Sequence, residues 1–201
     1  LAGAGRTELA EAICGLRKRN RGTIRIFGKT VINRTPAEAI RNGMVYLSED
    51  RQASGLLPDF SVIRNTTLAS LVKYCTAGFI HSGKERLTTR EYIREFGIKT
   101  SSPDAQISSL SGGNQQKVAI AKCLDNSPEI FIFDEPTRGV DIGARREIYD
   151  FIAGLAKEGM TCLIISSDLD EIIGMCPRIL VMRAGTLAGE LNGTEITQEQ
   201  I

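Results

Sequence analysis

Three short groups of residues have the types and spacing to act on a phosphate chain. The first is Gly3-Ala4-Gly5-Arg6-Thr7-Glu8. It fits the back of the phosphate-cradling pattern G-x-x-x-x-G-K-[ST], with Leu1 to Ala4 in the variable places and the leading glycine expected just before Leu1. Glycines let backbone N–H groups approach phosphate oxygens, and the following helix adds the positive end of its dipole. Thr7 would offer its hydroxyl to Mg2+. Arg6 takes the lysine place; it keeps the charge but is a larger planar fork. Taken alone, Gly-x-Gly before a helix is also a plain tight turn.

The second group is Ile130-Phe131-Ile132-Phe133-Asp134-Glu135, four apolar residues ending in two acids. A buried strand would deliver Asp134 to its carboxyl end, where ligands of α/β sheets bind. There a carboxylate can hold Mg2+ through its water shell, and Glu135 can orient or deprotonate an attacking water. The plainer alternative is two acids in a loop after a strand. The third group, Leu110-Ser111-Gly112-Gly113-Asn114-Gln115-Gln116-Lys117, sets a hydroxyl and two glycines at a helix start. Bare backbone donors at a helix N-terminus form a second phosphate-binding surface.

Elements must hold these groups in place. Thr7 to Leu16 reads as a helix, with Leu9, Ala10, Ile13 and Leu16 at helical spacing. Gly22 to Phe27 and the run around Val31 read as strands, and Pro36 to Arg41 as a helix with proline in its first turn. Met44 to Leu47 is a short apolar strand. Asn65 to Lys99 is the least periodic stretch and reads as short surface helices, with His81 and the charges of residues 84–95 on solvated faces. Beyond Pro103 come a helix from Gly112 to about Asn126, a strand at Ile130–Phe133 and a helix from Arg145 to Lys157. Then follow a buried strand at Cys162–Ile165, a short helix from Leu169 to Ile173 and another strand at Ile179–Met182. Apolar strands alternating with helices predict a parallel sheet covered on both faces.

Composition bounds the rest. The 201 residues are about one domain's worth of chain. Lys plus Arg is 25 and Asp plus Glu 24, a net charge of +1 that gives no electrostatic case for wrapping nucleic acid or adhering to a membrane. Apolar residues are 42%, yet no apolar run approaches the roughly 20 residues of a membrane-spanning helix. The five cysteines form no C-x-x-C pair and His81 is the single histidine, so no zinc site is predicted. Cys162, in an apolar run, reads as a buried thiol, and reduced thiols fit the cytoplasm. The opening Leu1-Ala2-Gly3-Ala4 is neither a signal nor a transit peptide. A strand normally precedes such a glycine turn, so the expectation is a chain cut from a longer polypeptide, its N-terminal strands missing.

With these three groups in this order, the chain resembles the ATP-binding-cassette ATPases, whose signature is L-S-G-G-Q and close variants. Gly3 to Leu9, Ser48-Glu49-Asp50-Arg51, Ser111 to Lys117, Asp134-Glu135-Pro136-Thr137-Arg138-Gly139-Val140-Asp141 and Gly174-Met175 narrow it. They resemble the C-terminal half of the double-cassette ATPases that power bacterial monosaccharide importers. The resemblance implies an α/β P-loop ATPase core with a mostly parallel sheet, one nucleotide-binding domain over residues 1–201, and a small helical subdomain near 65–110. It implies ATP and Mg2+ as ligands. It also implies a second cassette fused in the same polypeptide, each ATP lying between one cassette's P-loop and the other's signature. Transmembrane permease subunits would hold the motor at the cytoplasmic face of the membrane, and a separate periplasmic or extracellular protein would bind the sugar. Residues near 56–80 would contribute to docking on the membrane subunits.

Site roles follow residue by residue from the same resemblance. Gly3 to Glu8 and Leu110, Ser111, Gly112, Gly113 and Asn114 would bind nucleotide. Thr7, Asp134 and Glu49 would hold the metal, Glu135 would be the base, and Asp141 would mark the D-loop. Three positions depart from the active pattern. Arg6 replaces the lysine, Glu49 stands where a glutamine senses the γ-phosphate, and Ser167 stands at the switch histidine. These departures imply a P-loop side that turns ATP over poorly beside an intact signature. The rivals are a silent regulatory cassette and an ATPase of DNA maintenance. The latter carries long coiled-coil or zinc insertions, whereas here 62 positions separate Glu49 from Ser111.

Overall fold

The computed structural model describes residues 3–50, 55–193 and 197. Leu1, Ala2 and Arg51, each part of a motif above, lie outside the described residues. In chain order the elements are α1 (Arg6–Ile13), β1 (Ile24–Ile26), β2 (Lys29–Val31), α2 (Pro36–Arg41), β3 (Met44–Leu47) and α3 (Val62–Thr67). A 3-10 turn (Leu68–Tyr74) leads to β4 (Cys75–Thr76), β5 (Phe79–Ile80), α4 (Ser82–Glu95) and α5 (Gly112–Leu124). Then come β6 (Ile130–Asp134), α6 (Ile142–Lys157), β7 (Thr161–Ile165), α7 (Leu169–Met175), β8 (Arg178–Arg183) and β9 (Thr186–Asn192).

The parallel sheet predicted from the apolar strands is present, in the order β3-β6-β7. Its central strand β6 is apolar at every place before Asp134 because its two faces serve two cores. Phe131 and Phe133 face one way, with Val118 and Ile120 of α5 and Ile148 and Ile152 of α6. Ile132 faces the other way, with Ala10 of α1, Ala39 of α2 and Met44. A strand buried on both sides reads as a continuous apolar run, not an alternation. Local signals set the helix ends. Thr35 accepts the N–H of Glu38 ahead of Pro36 in α2, and Asp141 accepts the N–H of Ala144, so α6 opens at Ile142, a turn before Arg145.

Three expectations are corrected. First, α1 ends at Ile13 and not Leu16. Gly15 turns the chain with φ 74°, and a side chain there would meet the Thr35 backbone N at 2.6 Å. Second, Ile179–Met182 does not join the parallel sheet. It belongs to β8, which pairs antiparallel with β9 around Ala184 and Gly185, both at positive φ as a tight hairpin turn requires. Third, residues 65–99 are more than short surface helices. The 14-residue α4 dominates, and a small β4–β5 hairpin precedes it. Glu85 of its charged run is buried and accepts from the Thr67 hydroxyl at 2.7 Å. Asn65, also buried, bonds the backbone of Leu57, Phe60 and Ser61. Buried polar groups persist where each finds a partner.

All five cysteines are free. Cys162 is half-buried, and burial pushes its thiol up to about 11 and those of Cys14 and Cys123 up to about 12. Among the described residues no helix is long and apolar enough to cross a membrane.

Candidate functional site

The carboxyl ends of β6 and β7 open beside the start of α1, and a cavity of about 460 Å³ lies there. Gly3, Ala4, Gly5, Arg6, Thr7 and Glu8 line it together with Glu49, Glu135 and Ser167. Gly5 is the N-cap of α1 with φ 87°, where an L side chain is strained. A Cβ there would come within 2.9 Å of Gly185 Cα, because the β8–β9 turn backs the glycine loop. The Gly185 N–H donates to the Ala4 carbonyl at 3.0 Å. Arg6 reaches across the cavity floor, its Nη1 donating to the Ser166 carbonyl just past β7. A glycine turn leading into a helix N-terminus is an arrangement that can receive phosphate.

Asp134 ends β6 fully buried and is not among the residues that line the cavity. Its Oδ2 accepts from the Tyr46 hydroxyl at 2.7 Å, while its Oδ1 is buried without a partner. Burial first, then that hydrogen bond, pushes the Tyr46 hydroxyl well above the ordinary tyrosine range, so it stays a donor. An unsatisfied buried acceptor is costly. A cation or its bound water at the end of β6 would satisfy it, so the residues fit Mg2+. Among the described residues no group of three His, Cys, Asp or Glu side chains could hold a metal alone. The fit therefore depends on a ligand's phosphates, the usual habit of Mg2+.

Glu135 follows in the left-handed region, φ 48°, held by its N–H to the Ile165 carbonyl at 2.8 Å and by the Arg138 N–H on its own carbonyl at 3.1 Å. Strain of this kind persists where surrounding structure over-determines it. Glu49 is ion-paired with Arg138. Ser167 is exposed in the cavity, and the neighbouring Asp168 carboxylate lies 3.7 Å from Arg145.

The signature residues stand apart. None of Leu110 to Asn114 lines this cavity, nor does Asp141. Ser111 caps α5 in extended conformation with no side-chain cap bond; its hydroxyl accepts from the Asn114 amide at 2.8 Å. Asn114 in turn accepts the Lys99 N–H at 2.7 Å, which fixes the exposed serine. Gly113 is buried where a Cβ would lie 2.9 Å from that of Ala144 and 3.7 Å from an Asp141 carboxylate oxygen. Gln116 ties α5 to the acidic loop through the Pro136 carbonyl at 2.7 Å. A larger cavity of about 620 Å³, between the end of α4 and helices α5 and α6, takes only Lys117 from the three groups with phosphate chemistry.

Sequence reasoning missed Glu171. It is 4% exposed on α7, yet it lines the site cavity. Its carboxylate accepts from the Thr137 hydroxyl at 3.2 Å and from the Ser166 hydroxyl, joining the loops after β6 and β7. The only local signal is its place in the first turn of a helix capped by Asp168. Burial raises its pKa above the carboxylate norm, helped by Asp168 and Glu135 and opposed by the two hydroxyls. A raised folded-state pKa favours the protonated acid, so its stabilisation is complete below the unfolded value and lost as pH rises through the folded one. Thermal melts of Glu171→Gln should therefore gain on wild type as the pH rises above 4.5, until the folded-state value is passed, and run parallel beyond it. A difference flat across that range would contradict the assignment.

The family comparison agrees with this geometry. The ABC transporter family pattern matches residues 1–138, and the chain belongs to that family. Its relatives include the ribose import ATP-binding protein RbsA 2 of Rhizobium meliloti (strain 1021), 46% identical over 201 residues, with 100% of this chain and 39% of that protein covered. RbsA of Geobacillus kaustophilus (strain HTA426) is 46% identical, with 100% and 41% covered. The chain thus spans about two fifths of the length of these relatives. Among solved structures, the ATP-binding cassette MJ0796 bound to ADP and Pi superimposes with a TM-score of 0.79 at 22% identity, covering 96% of this chain and 82% of that one. A nucleotide-free cassette from an ABC transporter gives 0.79 at 25%, with 97% and 79% covered.

Proposed function

We propose that this chain is one ATP-binding and ATP-hydrolysing cassette of a sugar importer, with ribose or a related monosaccharide as cargo of the whole assembly. The observation that carries this reading is the cavity at the carboxyl ends of β6 and β7, where the glycine loop meets Glu135 and Ser167. The cassette works with a second one in the same polypeptide and with membrane permease subunits at the cytoplasmic face. A separate sugar-binding protein delivers the cargo, and nucleic acid plays no part. Residues 65–110 serve as its helical subdomain.

In this reading the backbone of Gly3 to Glu8 binds the ATP phosphates and Arg6 adds charge. Thr7 and Asp134, with Glu49 near, would hold Mg2+, which would supply positive charge to the phosphates. Glu135, fixed by its backbone bonds, orients the attacking water. Ser111, Gly112 and Gly113 do not line this cavity and serve the partner cassette's ATP. Arg6, Glu49 and Ser167 slow this cassette's own site. The rival of a silent cassette shares these departures, but the placed Glu135 and the orphaned Asp134 oxygen favour a site that still takes nucleotide and metal.

Nucleotide binding to the complete polypeptide tests this. Thr7→Ala should weaken ATP only when Mg2+ is present, and Gly5→Val should remove ATP from this loop. ATP affinity unchanged in both variants would refute the reading.

A further inference from the structure

The cavity is lined by three arginines (Arg6, Arg138, Arg145) and five carboxylates (Glu8, Glu49, Glu135, Asp168, Glu171). A triphosphate entering it meets an excess of negative charge, so the partner each arginine holds matters. Arg6 is committed to the Ser166 carbonyl. Arg145 donates to the Val140 carbonyl at 3.0 Å and faces Asp168. Arg138 is placed differently. Its guanidinium pairs with the Glu49 carboxylate, and its side chain is 65% exposed.

We propose that Arg138 reads the terminal phosphate at this site, exchanging the Glu49 carboxylate for the γ-phosphate of ATP, so that the pair distinguishes triphosphate from diphosphate. The inference rests on the reading of the cavity as an ATP site. Glu49 lies two positions past β3 and Arg138 four past β6. Those strands are parallel neighbours with Leu47 opposite Phe133, so both loops open side by side at the cavity. The Arg138 N–H on the Glu135 carbonyl fixes the root of the side chain one turn from the base. An exposed ion pair is weakly held. A phosphate dianion carries more charge than a carboxylate and takes two parallel N–H bonds from the guanidinium fork, so the exchange is favourable. ADP lacks that group and leaves the pair in place. Glu49, once released, no longer competes for the guanidinium.

The test titrates ATPγS and ADP, each with Mg2+, into the complete polypeptide; a second cassette in it is untouched by the substitutions and serves as internal reference. Arg138→Gln should weaken ATPγS by about tenfold or more, the worth of a charge-assisted pair, with ADP affinity unchanged. Arg138→Lys, which keeps the charge without the fork, should fall between and guards against misfolding. Glu49→Gln should raise the preference for ATPγS over ADP, because any change at the metal touches both nucleotides while only ATPγS has lost a competing carboxylate. Equal weakening of both nucleotides by Arg138→Gln, or no change, would overturn the proposal. So would a Glu49→Gln loss matching that of Arg138→Gln, which would make the pair a strut between loops. If neither nucleotide binds here even in wild type, the ATP-site reading falls as well, a result told apart by the loss of ADP binding.

Discussion

Ser111→Ala in the complete, assembled transporter should lower steady-state ATP turnover by about 100-fold or more, while Glu135→Gln leaves a larger share of activity. Losing one preorganised donor to transition-state charge costs about 10²–10³ in rate, and a general base contributes about 10²–10⁴. The ranges overlap, so chemistry alone does not rank the two. Location ranks them. In the proposed reading Glu135 serves a cavity lined also by Arg6 in the lysine place, Glu49 and the Ser167 hydroxyl. Ser111 stands outside that cavity, exposed at the start of α5, where the proposed reading has it serve the partner cassette. Its substitution leaves the fold alone, because its hydroxyl makes no cap bond to the helix and accepts only from Asn114. Melting temperature should therefore hold while turnover collapses. Equal or reversed losses for the two variants would mean that the Arg6 cavity is a fully working site.

Phe131→Ala should destabilise the protein by about 3–5 kcal/mol. Phe131 is fully buried in the middle of the central strand, its ring stacked on Phe133 with centroids 3.9 Å apart. It packs where α5 and α6 cover the sheet, so little can collapse into the space left. Against a total of roughly 5–15 kcal/mol, that loss would lower the melting temperature by about 10 °C or more. The same strand carries Asp134 and Glu135, so nucleotide binding should weaken in step. Val72→Ala, at a side chain 84% exposed, should stay within about 0.5 kcal/mol of wild type. Denaturant midpoints measure both; a Phe131→Ala midpoint close to that of Val72→Ala would show that the core sits elsewhere.

The sequence by itself determined whatever depends on near neighbours along the chain. Helix α2 was legible to the residue because Thr35 and Pro36 are a local start signal. Strands β3 and β6 were legible because a run of apolar residues bounded by polar ones has one economical conformation in a covered sheet. Gly5, Ser111 and Glu135 stood out because their chemistry is concentrated in a few adjacent residues. Ile179 to Met182 marks where this reasoning ends: four apolar residues look alike in a parallel sheet or a hairpin, and only the turn at Ala184 and Gly185 decides. Tertiary structure alone decided pairings between distant residues. Tyr46 on Asp134, Arg138 on Glu49, and Glu171 between Thr137 and Ser166 join segments that meet because β3, β6 and β7 lie side by side. Hydrogen bonds and ion pairs act over a few ångströms of space whatever the separation in sequence. No local pattern therefore encodes the partner that leaves one Asp134 oxygen open or occupies the Glu49 carboxylate.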